Sequence, residues 1–158
     1  MTRFFAIVVL AFVPFINGAM AAQKPNAAKN LYKRCAACHL PNGAGVPSVY
    51  PPLQGHVPTL INTQQARDYL ARVVVQGIRG VIAVNGQSYR GAMFSVVADL
   101  DNAQVAALLN DLVARFGTAA QKADAPLFSA ADVKRLRDNK ISAKALLALR
   151  SKVLAAGQ

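Results

Sequence analysis

Residues 35 to 39 read Cys35-Ala36-Ala37-Cys38-His39, and no other stretch restricts the chain as tightly. These are the only two cysteines in 158 residues, and they lie too close together for a cross-link between them to close a useful loop. The C-x-x-C-H spacing suits covalent attachment of haem. Thiols three positions apart on a helical turn can add to the two vinyl groups of one porphyrin edge, and His39 is then delivered to the iron as its nitrogen ligand. Three other uses compete. A thioredoxin-like redox pair expects a strand in a βαβ pattern ahead of the first cysteine, and none precedes Cys35. Zinc has four ligands to draw on in Cys35, Cys38, His39 and His56, although neighbours at 38 and 39 make an awkward tetrahedron. A plain disulfide is the third.

The setting comes from the first residues. Arg3, an apolar run from Phe4 to Ile16 and the A-x-A pattern Ala19-Met20-Ala21 read as a secretory leader over residues 1–22. Thirteen apolar residues interrupted by Pro14 fall short of the ~20 that cross a bilayer. Export implies the periplasm, and it argues against nucleic acid as the partner of so basic a chain. Without the leader the chain keeps 17 basic residues against seven aspartates, a formal charge of +10. It also keeps a single methionine, Met93.

Beyond the leader, Ala27, Ala28, Leu31, Tyr32 and Cys35 recur at helical spacing, so a helix over 26–35 is expected to end as the motif begins. Residues 40–58 hold five prolines and three glycines and read as a wrapping loop. A helix from about Thr63 to Gln76 closes at Gly77. Residues 77–93 carry four glycines and read as irregular chain with a short hairpin at Asn85-Gly86. Asp101-Asn102-Ala103-Gln104 is a capping-box pattern ahead of Val105, Leu108, Leu109, Leu112, Val113 and Phe116. After Gly117 the composition changes to a basic segment with a cap at Ser129 and a last helix from about Ala143 to Ala155. That segment has eight basic residues against three aspartates, half of the excess charge. The division expected is a leader over 1–22, a core domain over 23–117 and a basic helical extension over 118–158.

A haem bound by His39 on one side is either open on the other, as in an oxygen binder or a peroxidase, or closed by a second ligand, as in a carrier. Met93 lies 54 residues beyond His39 in a glycine-spaced stretch. A lone methionine is ordinarily core filler, but given a haem on His39 it becomes the candidate thioether ligand, whose soft sulfur favours ferrous iron. His56 is the rival, only 17 residues after His39, and a solvent-facing or locally bonded histidine is the alternative reading for it. The metal ligands expected are therefore His39 and Met93.

Several runs together resemble class I cytochromes c, and more narrowly the small bacterial cytochromes that act as carriers and as subunits of periplasmic dehydrogenase complexes. They are Leu31-Tyr32 ahead of the pentapeptide, Asn42-Gly43-Ala44-Gly45-Val46-Pro47, Tyr50-Pro51-Pro52-Leu53-Gln54-Gly55, and Val84-Asn85-Gly86-Gln87-Ser88-Tyr89-Arg90-Gly91-Ala92-Met93. The resemblance spans about residues 26 to 117. It implies an all-α class I cytochrome c fold, short helices wrapped around one covalent haem c per chain, with the basic helical extension added. It implies too that the Pro51 carbonyl holds the outer nitrogen of His39 and that Leu53 packs on the ring. Ala27 and Leu31 would meet the helix around Leu109, Leu112 and Val113, and Arg79 or Arg90 would face a haem propionate. Phe94 stands where relatives place proline, and Phe116 where they often place tryptophan.

The function expected is periplasmic electron transfer, with no catalytic residues, as a free carrier or as a subunit of a dehydrogenase or oxidase complex. A haem enzyme or gas binder with an open distal site is the alternative. The basic extension suggests redox protein partners with an acidic docking surface, or peripheral association with an anionic membrane. A core of about 92 residues without tryptophan buries little apolar surface, so the haem is expected to complete it.

Overall fold

The computed structural model of the chain describes residues 31–125 and 127–156. The leader over 1–22, and the first half of the helix expected over 26–35 with Ala27, lie outside the described residues.

Helix α1, Lys33–His39, contains the whole pentapeptide, so the motif lies inside a helix and not after the end of one. The reason is local. Ala36 and Ala37 favour helix, and the first break comes at Leu40 (φ 66°) and Pro41, where the Leu40 amide still bonds Ala36 O. The proline-rich loop then folds on itself. Val46 bridges Tyr50, and Gly43 O accepts from Leu53 N at 2.8 Å and Gln54 N at 3.2 Å. A single 3-10 turn, Val57–Leu60, ends it.

Helix α2, Gln64–Gln76, is capped by the Thr63 hydroxyl, which accepts from the Ala66 amide, and buries Ala66, Tyr69, Leu70 and Val74. The next stretch corrects the all-α expectation. Strands β1, Ile78–Val84, and β2, Gln87–Met93, form a full seven-residue antiparallel hairpin. Asn85 (φ 51°) and Gly86 (φ 78°) make the left-handed two-residue turn that matches strand twist. The glycines suggested irregular chain, but Gly80 and Gly91 face each other across the register, while Ile78, Val81, Ile82 and Val84 supply strand preference. Helix α3, Asn102–Phe116, starts on the Asp101/Gln104 capping box and buries Val105, Leu108, Leu109, Leu112 and Val113.

The extension is built into the same core. Its helices are α4, Ala119–Ala123, α5, Ala130–Asp138, and α6, Ala143–Ala155. The first was not expected and buries nothing. Helix α5 packs on α2 and α3, and α6 packs on α2 and β1. Val133, Leu136, Leu146 and Val153 are at most 3% exposed and join the cluster formed by α2 and α3. Removing each from water is worth roughly 1.5–3 kcal/mol. Polar clamps fix the arrangement. Arg137 donates to Val97 O, Leu100 O and Asn102 Oδ1, Asn110 Oδ1 accepts from the Leu127 and Phe128 amides, and Gln76 bonds both N and O of Ile141.

Candidate functional site

Helix α1, the loop after it, the hairpin and the extension surround a largely apolar cavity of about 470 Å³. Cys35, Cys38, His39, Pro51, Leu53 and Met93 all line it, although they are spread over 59 positions of the chain. Both thiols are unpaired with each other. Cys35 is buried, and that burial pushes its thiol up to about 11, so it stands as the neutral SH.

His39 is 7% exposed. Its Nδ1 lies 2.8 Å from Pro51 O, and because a carbonyl only accepts, the ring proton sits on Nδ1. Nε2 is left with its lone pair free, which is the form that binds a metal. Burial holds the imidazole below its ordinary range, against the opposing pull of the Pro51 bond, and so keeps it neutral. The loop aims this carbonyl: Gly45 N donates back to His39 O at 3.0 Å, and the Val46–Tyr50 bridge sets Pro51 beside the ring.

Met93 ends β2 opposite Ile78 and is half-buried against the core. The chain leaving it is tied to α1, since Arg34 donates to Val96 O at 2.9 Å and grips Asp99 with both terminal nitrogens at 2.7 and 2.8 Å. The helix that bears the two cysteines and the segment after the methionine are thus joined by one side chain next to Cys35. Phe94, in the position where proline was the family expectation, is 64% exposed with the Arg79 guanidinium 5.2 Å from its ring. Phe116 packs on Tyr32 at 5.9 Å between ring centroids, so α1 meets the end of α3 through aromatic side chains.

His56 does not face solvent. It lines the cavity half-buried, with Nε2 3.3 Å from Arg150 Nη1, and burial together with that guanidinium lowers it to about 4. Arg90 lines the cavity, whereas Arg79 lies in a separate cleft behind Met93. Among the described residues no group of three or more His, Cys, Asp or Glu is disposed to hold a metal ion, so the four-ligand zinc set finds no support. Tyr69 and Arg150 line the cavity as well, and neither was singled out from sequence. Arg150 reaches it from α6, through contacts with no local signature along the chain.

These residues suit a haem on chemical grounds. An apolar slot presents two thiols, a neutral imidazole held by its far nitrogen, a thioether on another element, and a buried cation. Comparison with known proteins agrees. The family model for cytochrome c matches residues 26–112. The chain is 38% identical over 145 residues to a cytochrome c-552 of Thermus thermophilus, covering 92% of this chain and 95% of that protein. A second cytochrome c-552 of Thermus thermophilus is 38% identical over 123 residues, covering 78% of this chain and 93% of the relative. A match to 92% of the chain has to run well into residues 118–158, so the alignment with the first of these relatives takes in much of the extension.

Proposed function

The chain belongs to the cytochrome c family, electron carriers with covalently bound haem c, and on that premise we propose that it works in the periplasm as a single-haem carrier ligated by His39 and Met93. It serves as a free carrier or as the cytochrome subunit of a dehydrogenase or oxidase. When bound, the haem supplies an iron that takes up and gives back one electron. The residues divide the remaining work. Cys35 and Cys38 tether the ring by thioethers, so the cofactor cannot be lost between partners. Pro51 fixes the tautomer and plane of His39. Leu53 and the apolar wall keep water from the iron, and the Met93 thioether favours the ferrous state and blocks entry of a substrate. The secretory pattern over residues 1–22 supports the location.

The observation that carries the reading is the convergence of His39 and Met93, from α1 and β2, on the cavity that holds both thiols. Mass spectrometry of the exported protein is expected to show one haem added per chain. The ferric protein is expected to show a weak far-red absorption band that Met93→Ala abolishes. Ready binding of carbon monoxide by the unaltered ferrous protein would instead mean an open distal site, and with it an enzyme or gas binder.

A further inference from the structure

His39 and Arg150 are the buried polar or charged side chains among the described residues, and Arg150 carries a full charge at 6% exposure. It stands on α6, in the extension, and lines the cavity. Its Nη2 donates to Ala83 O at 2.6 Å, and its Nη1 donates to Tyr69 Oη and lies against His56 Nε2, both at 3.3 Å. Every one of these partners is neutral. The ion pairs of the described residues engage Arg34, Arg115, Lys134 and Arg135 and leave Arg150 without a carboxylate. A guanidinium has five N–H donors, so Nε–H and one Nη2–H have no acceptor among the described residues.

A cation withdrawn from water beside an apolar cavity, with no anion and donors to spare, is costly unless the cavity's occupant brings the anion. Haem carries two carboxylate side chains, and the guanidinium fork is shaped to hold one of them by two parallel bonds. We infer that Arg150 binds a carboxylate of the haem, and that the C-terminal extension is thereby part of the cofactor site and not an appendage to it. This rests on the haem reading above. Arg90, which also lines the cavity, is exposed, and Arg79 is stacked on Phe94 outside it, so Arg150 is the buried cation available. The titratable groups facing it are His56 from the loop and Tyr69 from α2, while β1 presents only a carbonyl.

The test is the reduction potential of the haem-loaded protein between pH 5 and 8 for wild type, Arg150→Gln and Arg150→Lys, with Arg90→Gln as a control for charge at the same cavity. Wild type should be nearly flat, because the guanidinium keeps the carboxyl ionised. Arg150→Gln should keep its covalent haem and have a lower potential, since ferric iron gains from the uncompensated anion. That potential should fall further as pH rises, because the carboxyl now titrates in this range. Arg150→Lys should lie between the two, and it decides the matter if the glutamine variant does not fold. Adding His56→Gln removes an imidazole that would itself titrate once Arg150 has gone, so pH dependence surviving in the double variant belongs to the haem carboxyl. The proposal is overturned if Arg150→Gln lowers only the melting temperature and leaves potential and pH profile as in wild type. It also fails if Arg90→Gln gives the same change, or if the pH dependence disappears with His56. Wild-type protein without haem would instead overturn the function proposed above, a result told apart at the first mass measurement.

Discussion

The orientation of His39 is set by a backbone carbonyl, so the residue that controls it is the one that leaves that carbonyl room. Gly45 adopts φ 67°, and a Cβ there would stand 2.7 Å from Pro51 O while also crowding Tyr50 O. Gly45→Ala therefore strains the backbone and pushes away the acceptor of the His39 Nδ1 proton together. A loss of about 1–3 kcal/mol is expected from the denaturation midpoint. The Nδ1 proton should exchange faster in nuclear magnetic resonance spectra, whereas an unchanged, slowly exchanging proton would show that Pro51 does not hold the ring. The placing of Pro51 beside the His39 ring and of Met93 at the cavity was legible because both sit in runs with a recognisable order. Those of His56 and Arg150 were not, because their contact joins positions 94 residues apart and neither position has a distinctive neighbourhood. Arg34 was hidden for a similar reason: a basic residue beside Cys35 gives no sign that its partners lie 62 and 65 residues on.

At the scale of elements, caps and apolar stripes were readable because both are local. Thr63, Asp101 and Ser129 each accept the expected first-turn amide, Ser142 adds a cap that was not expected, and the last helix begins and ends at Ala143 and Ala155 as its pattern predicts. The hairpin was underestimated because glycine pairing across strands is not visible along one strand. The burial of the extension was missed because its charge count drew attention to its outer face, while Val133, Leu136 and Leu146 are essentially inaccessible. If α5 belongs to the core, Leu136→Ala should cost about 2–4 kcal/mol and shift the single unfolding transition of the whole protein. A small separate transition for residues 118–158, with the rest unaffected, would refute that. The clamp between α2 and α5 offers a pH test. Burial alone would raise the Asp68 carboxyl, but bonds from Arg135 and Gln64 outweigh it and hold it below the usual carboxylate range. A group lowered in the folded state stabilises above its unfolded pKa of ~3.9 and loses that stabilisation as pH falls through the folded value. A double-mutant cycle on Asp68→Ala and Arg135→Ala should give a coupling of about 0.5–1 kcal/mol at pH 7, vanishing in strong acid. Coupling that persists below pH ~2 would mean the pair is held by packing and not by charge.

Across the whole molecule, the cavity and the charge set behaviour that no single residue shows. A chain of this size cannot close around about 470 Å³ of apolar space without its occupant, so Cys35→Ala/Cys38→Ala protein lacking cofactor should give a poorly dispersed spectrum and little cooperative unfolding. Good dispersion would show that the core is complete without haem. The charge acts outward, though less of it than composition suggests. In the extension Arg137 is clamped inward, Arg150 faces the cavity, Arg135 pairs with Asp68 at the surface and Lys134 pairs with Asp138, which leaves Lys122, Lys140, Lys144 and Lys152 without ion-pair partners among the described residues. These lysines, with the rest of a chain whose formal charge is +11, generate the long-range field, while Val49, Tyr50 and Phe94, at 56%, 40% and 64% exposed, line the cavity and give it an apolar rim. Field and rim make separate predictions. Steering by exposed charges is screened within ~10 Å at 0.1 M salt, so the second-order rate of electron exchange with an acidic partner should fall about tenfold between ~10 mM and ~0.2 M salt. Contact through the apolar rim is insensitive to salt, so the rate should level off above zero instead of continuing to fall. Replacing the four lysines by glutamine should flatten the curve toward that plateau without altering the potential, and stopped-flow measurement across the salt series reads both effects. A wild-type rate indifferent to salt would remove the electrostatic partner and leave the basic extension with its structural role alone.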